Sequence, residues 1–244
     1  MKRSGSFPAR FQLFCFPYAG GGASIYRSWQ AEMGPSLQIR PIRLPGREDR
    51  ISETPRVSVS DLAESAAAEI AAGIEAPFAL FGYSFGALLA FETARILRRS
   101  GVLPERLIIA ALKAPHLPLR RKPIHQLPEP SFAEEIRRFQ GTPAEVLENR
   151  ELMSLVLPSI RADFTAYESY SYRPEPPLGC PITAMGGAHD ASVSPAELAA
   201  WSEHSSVGFS QRIFPGGHFF IHSAKPLLTW TIAQDLLPPF RAAS

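Results

Sequence analysis

Short runs of consecutive apolar residues alternate along this chain with longer stretches whose apolar positions recur every third or fourth residue. The runs at 11–16, 78–81 and 107–112, with the alternating stretch at 37–40, predict strands. Two later runs, at 181–185 and 209–214, extend the set. Between them lie helical patterns. Residues 28–33 form a short one. Leu62, Ala66, Ile70 and Ile74 share one helix face, with Asp61 and Glu64 spaced as a capping box. Leu88, Phe91 and Leu97 mark a helix over 87–99 that Ser100 and Gly101 end. Leu227, Leu228 and Ile232 mark the last helix. Strands alternating with helices predict an α/β fold: a mostly parallel central sheet flanked by helices.

The alternation breaks after Leu112, where helical signals follow one another without a strand. Ser131 and Glu134 are spaced as a capping box, and Phe132, Ile136 and Phe139 make a stripe. Thr142, Pro143, Ala144 and Glu145 read as another helix start, and residues 155–170 carry Ile160, Phe164 and Tyr167 at helical spacing. This section predicts a helical lid insertion at about 116–168 within a single domain spanning 1–244. The apolar stripes, with Phe132, Ile136, Phe139, Leu155 and Phe164, are expected to line a chamber under that lid. After the break, Ser194, Pro195 and Glu197 form a further capping box with proline in the first turn.

Composition narrows the picture. A chain of 244 residues, 45% hydrophobic, holds enough apolar residues for one large core. A formal net charge of +2 gives no basis for nucleic-acid binding. No apolar run reaches the length of a membrane span, and no signal-type segment follows Met1. Two cysteines, Cys15 and Cys180, lie in strand-like runs and read as buried free thiols. These features predict a cytoplasmic, soluble monomer without nucleic-acid or membrane partners.

The chemistry centres on Gly82-Tyr83-Ser84-Phe85-Gly86. A bare G-x-S-x-G is common by chance. Here a buried strand precedes it and a helix follows, the setting in which a serine hydroxyl stands exposed above a sheet. A serine nucleophile needs a base, and the base needs an orienting carboxylate. His218 follows a late strand through Gly216 and Gly217 and is the favoured base. His204 ends a polar helix and reads as a solvated residue, and His189, His222, His116 and His125 rank lower. Asp190 leaves the strand before the one preceding His218, giving the order Ser, Asp, His. Asp163 lies inside a helical pattern, Asp49 and Asp61 precede the nucleophile, and Lys113-Ala114-Pro115 offers no carboxylate. The expected oxyanion donors are the backbone N–H groups of Phe85 and of Ala19, with Gly20 as the alternative. Substrate contacts are expected from Tyr18, Phe132, Phe139 and Phe164. No phosphate loop or zinc spacing is present, so no metal and no cofactor is expected.

Several segments resemble the type II thioesterases, α/β-hydrolases that accompany polyketide synthases and nonribosomal peptide synthetases. They are Phe16-Pro17-Tyr18-Ala19-Gly20-Gly21, Arg43-Leu44-Pro45-Gly46-Arg47, Leu157-Pro158-Ser159-Ile160-Arg161-Ala162-Asp163-Phe164, Cys180-Pro181-Ile182 running into Gly186-Gly187 and Asp190, and Gly217-His218-Phe219-Phe220. The similarity runs from about Phe11 to Leu237. It implies an α/β-hydrolase fold and the removal of aberrant or stalled acyl groups from the phosphopantetheine arm of acyl- or peptidyl-carrier domains. The phosphopantetheine belongs to the substrate. Nucleophile, acid and base carry over onto Ser84, Asp190 and His218. Tyr83 departs from the histidine usual before the serine, and Lys113 stands where a serine-glycine-arginine segment is usual. A small-molecule carboxylesterase or lipase, and a non-catalytic hydrolase-fold binding protein, are the competing readings of the same residues.

Overall fold

The computed structural model describes residues 11–139, 141 and 144–237. Its described strands form one parallel sheet in the order β2-β1-β3-β4-β5-β6. They are β1 (Phe11–Phe16), β2 (Leu37–Pro41), β3 (Phe78–Tyr83), β4 (Arg106–Ala110), β5 (Ile182–Gly187) and β6 (Phe209–Phe214). Every neighbouring pair is parallel, so every connection crosses a face of the sheet. That buries both faces, and the central strands are apolar at consecutive positions for this reason. Phe14, Phe16, Phe78, Leu80, Leu107 and Ile109 pack against α2 (Val59–Gly73) and α3 (Phe85–Arg99). Leu13, Cys15, Ala79, Phe81, Tyr83 and Ile108 face the other way. There they meet α1 (Trp29–Met33) and the C-terminal helices α8 (Phe220–Ser223) and α9 (Lys225–Leu236).

Between β4 and β5 lie α4 (Glu129–Phe139), α5 (Ala144–Glu148) and α6 (Arg150–Ser169). They enclose a small apolar core of their own, built on Ile124, Phe132, Ile136, Met153, Leu157 and Ile160. The short helix between β5 and β6, α7 (Pro195–Ala199), opens with the expected capping box. Both cysteines are buried and unpaired. Among the described residues no helix is long and apolar enough to cross a membrane.

Three helix starts differ from the sequence expectation. α2 begins earlier, with Ser58 as the capping residue accepting from Asp61 N–H at 3.3 Å, so Asp61 sits in the first turn. α4 begins at Glu129, with Pro130 pre-set for the first turn, which places Ser131 inside the helix. α6 starts at Arg150 because Asn149 Oδ1 accepts from Glu151 and Leu152 N–H at 3.0 and 3.1 Å. The start expected at Thr142 and Pro143 lies outside the described residues. His204 is buried rather than solvated. It packs against Phe91 and Trp201, and its Nε2 lies 2.8 Å from His116 Nδ1. Burial, then the charges of His116 and Arg95, lower its pKa to about 4.

The turn from β3 into α3 is the tightest point of the fold. A side-chain carbon at Gly82 would stand 2.2 Å from the Gly86 carbonyl oxygen. One at Gly86 would stand 2.2 Å from the Phe16 carbonyl oxygen and 2.5 Å from that of Pro17. The obstacle is backbone at the end of β1, which cannot swing aside. Gly86→Ala is therefore expected to destabilise the chain by about 1–3 kcal/mol or more, as overpacking does. Urea denaturation checks this, and a midpoint equal to wild type would show that α3 can shift without cost.

Candidate active site

Ser84 sits between strand and helix with φ +52° and ψ −118°, a conformation that side-chain-bearing residues rarely adopt. The turn holds it from both sides: Ser84 N–H donates to the Ala110 carbonyl at 2.8 Å, and its own carbonyl accepts from Ala87 N–H at 2.8 Å. The hydroxyl is left facing a cavity of about 470 Å³.

Two loops at the same end of the sheet bring the other groups. The loop after β5 carries Asp190, and the loop after β6 carries His218. His218 Nε2 lies 3.2 Å from Ser84 Oγ, and its Nδ1 lies 2.8 Å from Asp190 Oδ2. The carboxylate is 1% exposed. Burial pushes the Asp190 carboxyl up. Hydrogen bonds from His218 and Ser192, with the charge of the histidine, outweigh it and hold the group below the usual carboxylate range. An ionised carboxylate here favours the imidazole tautomer with a proton on Nδ1, leaving Nε2 free to accept from the serine.

Ser192 was not singled out in the sequence. Its N–H and hydroxyl both donate to Asp190 Oδ1, at 2.8 and 2.6 Å, and its Oγ lies 2.9 Å from His218 Nδ1. The available signal was the Asp-x-Ser spacing, which lets a carboxylate accept from the backbone two residues on.

The loop after β1 supplies the remaining amides. Gly20 N–H donates to Asp163 Oδ2 at 2.7 Å, and Gly21 N–H donates to the Tyr18 carbonyl at 2.8 Å. Gly20 is thereby removed as an oxyanion donor. Ala19 N–H has no acceptor among the described residues, and Ala19 and Phe85 both line the cavity. Phe85 opens α3, so its N–H is one of the helix's unpaired donors.

Asp163 does more than occupy Gly20. It accepts both terminal nitrogens of Arg47, Nη1 at 2.7 Å and Nη2 at 2.8 Å, and Arg47 Nη1 also donates to the Gly21 carbonyl at 3.1 Å. The Arg47 side chain is 8% exposed and that of Asp163 is 1%. One forked ion pair thus joins the segment after β2, the loop after β1 and α6.

The cavity wall is apolar where Ile136, Phe139, Ile160, Phe164 and Tyr18 contribute. Tyr18, Phe139 and Phe164 are therefore where the sequence placed them. Phe132 is not: its ring is fully buried in the core of the α4–α6 helices, beneath the Arg161 guanidinium at 4.1 Å, and does not reach the cavity. Leu155 also departs, facing solvent at 57% exposure. The periodic stripe identified buried positions without saying which side of the small core they faced. Lys113 lines the cavity, and its ammonium donates to the carbonyls of Leu117 and Pro118 at 2.6 and 2.5 Å. Burial lowers its pKa, against the raising effect of Glu197.

A doubly covered parallel sheet with a strained serine turn at the end of a central strand defines an α/β-hydrolase. Comparison with known proteins narrows the class. The sequence matches the thioesterase domain family over residues 11–234, and the chain belongs to that family. It is 42% identical to the gramicidin S biosynthesis protein GrsT of Aneurinibacillus migulanus, over 89% of this chain and 85% of that one. Its fold is similar to that of BorB, a type II thioesterase from the borrelidin biosynthetic cluster. The TM-score is 0.88 at 38% identity, covering 95% of each chain. It is also similar to YbtT, a type II thioesterase from the yersiniabactin NRPS/PKS pathway. There the TM-score is 0.84 at 35% identity, covering 96% and 94%.

The ion pair gives a direct test. Asp163→Leu strands a buried guanidinium and is expected to cost about 3–5 kcal/mol of stability by denaturant titration. Adding Arg47→Met should recover most of that loss. It cannot restore the acceptor of Gly20 N–H, so kcat of the double variant should stay at least about ten-fold below wild type, a fraction of what losing an oxyanion donor outright costs. A double variant recovering stability and rate together would show that the loop after β1 holds its shape alone.

Proposed function

We propose that the chain is an editing thioesterase in which Ser84, His218 and Asp190 form the catalytic triad. It removes aberrant or stalled acyl groups from the phosphopantetheine arm of acyl- or peptidyl-carrier domains. The observation that carries this reading is the hydrogen-bonded line Ser84–His218–Asp190 opening onto an apolar cavity large enough for an acyl chain. The pathways named for the related proteins point to the same substrate class. Two buried free thiols fit the reducing cytoplasm in which such a pathway would run.

The reaction follows from the geometry. Ser84 Oγ attacks the thioester carbonyl as its proton passes to His218 Nε2. The tetrahedral oxyanion lies between the N–H groups of Ala19 and Phe85. As the intermediate collapses, the C–S bond breaks and the pantetheine thiol leaves with the proton from His218. The acyl-serine is then cleaved by water, with His218 accepting its proton and returning it to Ser84. The α4–α6 helices act as a lid that keeps other water from the cavity. Carrier domains approach its rim, where Arg120, Arg121 and Arg138 line the opening. These cations are not bare: Arg120 pairs with Glu197 at 3.0 Å, and Glu135 is shared by Arg121 at 3.4 Å and Arg138 at 2.6 Å. Glu134 lies 3.7 Å from both Arg137 and Arg138, so three guanidiniums share two carboxylates, which leaves a positive excess for an acidic partner.

Ser84→Ala should lose on the order of a million-fold in release of acyl groups from a carrier protein, judged by triad removal in a protease, with an unchanged circular dichroism spectrum. Intact-protein mass spectrometry of the acyl-carrier protein reads the outcome, and substantial residual release would exclude Ser84 as the nucleophile. Oxygen esters tested beside it should be poorer substrates. For the rim, Arg121→Gln with Arg138→Gln should raise KM for an acyl-carrier protein several-fold at low ionic strength. The effect should fade as salt shortens the Debye length to about 10 Å at 0.1 M. Hydrolysis of a free acyl-pantetheine should not change, and equal impairment of both substrates would place docking elsewhere.

A further inference from the structure

Tyr83 stands immediately before Ser84, at the last position of β3. Its side chain lies on the sheet face that carries α8 and α9, where the chain returns from β6. The ring is fully enclosed, 5.1 Å from Phe220, 6.2 Å from Tyr18 and 6.3 Å from the His218 imidazole. The hydroxyl donates to the backbone carbonyl of His218 and accepts from Ile221 N–H at 3.2 Å. The hydroxyl therefore bridges the loop that bears the histidine and α8, which follows directly after it. Burial keeps it a neutral donor, well above the usual tyrosine range.

We infer that Tyr83 is a positioning residue that fixes His218 in front of Ser84 by holding the histidine's own carbonyl. The inference rests on the triad reading above. Serine and tyrosine are consecutive on a central strand paired on both sides, so the tyrosine reaches the histidine loop from a fixed origin. The loop runs Pro215-Gly216-Gly217 into the histidine; the Gly216 carbonyl accepts from His189 N–H at 2.9 Å, and the glycine next to His218 leaves the backbone there its widest freedom. The distance it must preserve is 3.2 Å between His218 Nε2 and Ser84 Oγ, at the outer edge of hydrogen-bond reach. A small drift of the loop would break it. The reach depends on the length of the tyrosine: an imidazole at this position would end short of the same carbonyl.

Tyr83→Phe keeps the ring and removes only the hydroxyl. It is expected to lower kcat on an acyl-carrier protein by about ten- to a hundred-fold, the scale of a 1 Å misplacement. KM should stay within about two-fold of wild type, since the residue lies behind the serine and does not line the cavity. The rate at which a fluorophosphonate labels Ser84 should fall in parallel. The low-field proton resonance of His218 Nδ1–H, which reports its bond to Asp190, should shift or broaden. Tyr83→His, too short to reach the carbonyl, should show the same pattern and carries the test if the phenylalanine variant does not fold. Ser84→Ala, measured alongside, separates this idea from the triad reading: if it retains turnover and labelling, the triad is wrong. If it is inert while both Tyr83 variants keep kcat within two-fold and an unshifted resonance, the positioning role is wrong. A loss of kcat that only tracks the folded fraction would also overturn it.

Discussion

A buried arginine and a buried aspartate, far apart in sequence, decide the shape of the catalytic end of this molecule. Arg47 and Asp163 face each other in a two-pronged pair with almost no access to water. Such a pair adds little net stability, because removing both charges from water costs about as much as their attraction returns. Its value lies in what it prevents. Either partner alone would be an uncompensated buried charge, so α6 and the segment after β2 must dock together. The spare capacity of the pair is spent on the loop after β1. Asp163 accepts from Gly20 N–H, and Arg47 donates to the Gly21 carbonyl. That leaves Ala19, whose N–H has no acceptor among the described residues, lining the cavity.

The other contacts around Ser84 follow the same logic of short loops held by buried side chains. The elbow is held by backbone, with no room for a side chain at Gly82 or Gly86. The Asp190 carboxylate accepts from Ser192, and the His218 carbonyl accepts from Tyr83. Tyr18 adds a link between the first and last of these loops, its hydroxyl 3.1 Å from His222 Nε2 and its ring 5.2 Å from Phe219. Loops from separate strands are thus registered against one another by single side chains, while the sheet supplies the rigid base.

The sheet, the elbow and the positions of Asp190 and His218 were legible in the sequence because each is a local pattern. A buried strand reads as an apolar run, and a nucleophile turn reads as glycines around a serine between strand and helix. The order of the strand exits places Asp190 and His218. What the sequence hid was pairwise and distant. Nothing local to Arg47 says that its partner is Asp163, which looked like an ordinary helical residue. Nothing local to Tyr83 says that its hydroxyl ends on the backbone of His218. Phe132 and Phe139 lie on one helix at helical spacing, yet one ring fills the core under the cavity and the other lines the cavity itself. A stripe one residue wide cannot carry that distinction. His204 was misplaced for a related reason: the helix around it is polar, but Phe91 and Trp201 close over the ring from elsewhere.

The docking of α6 bears on how such a protein could be rebuilt. α6 supplies Ile160 and Phe164 to the cavity wall, and the same helix supplies Asp163 to the loop after β1. Pocket shape and reaction geometry are therefore not separable modules along this helix. A chimera that imported a foreign α6 to reshape the cavity would keep the loop after β1 in this conformation only if it brought an aspartate in register with Arg47. α4 is under no such obligation. It contributes Ile136 and Phe139 to the wall, and among the described residues no hydrogen bond joins it to the loop after β1. Recombination has a natural seam there, between the helix that only shapes the cavity and the helix that also holds the loop after β1.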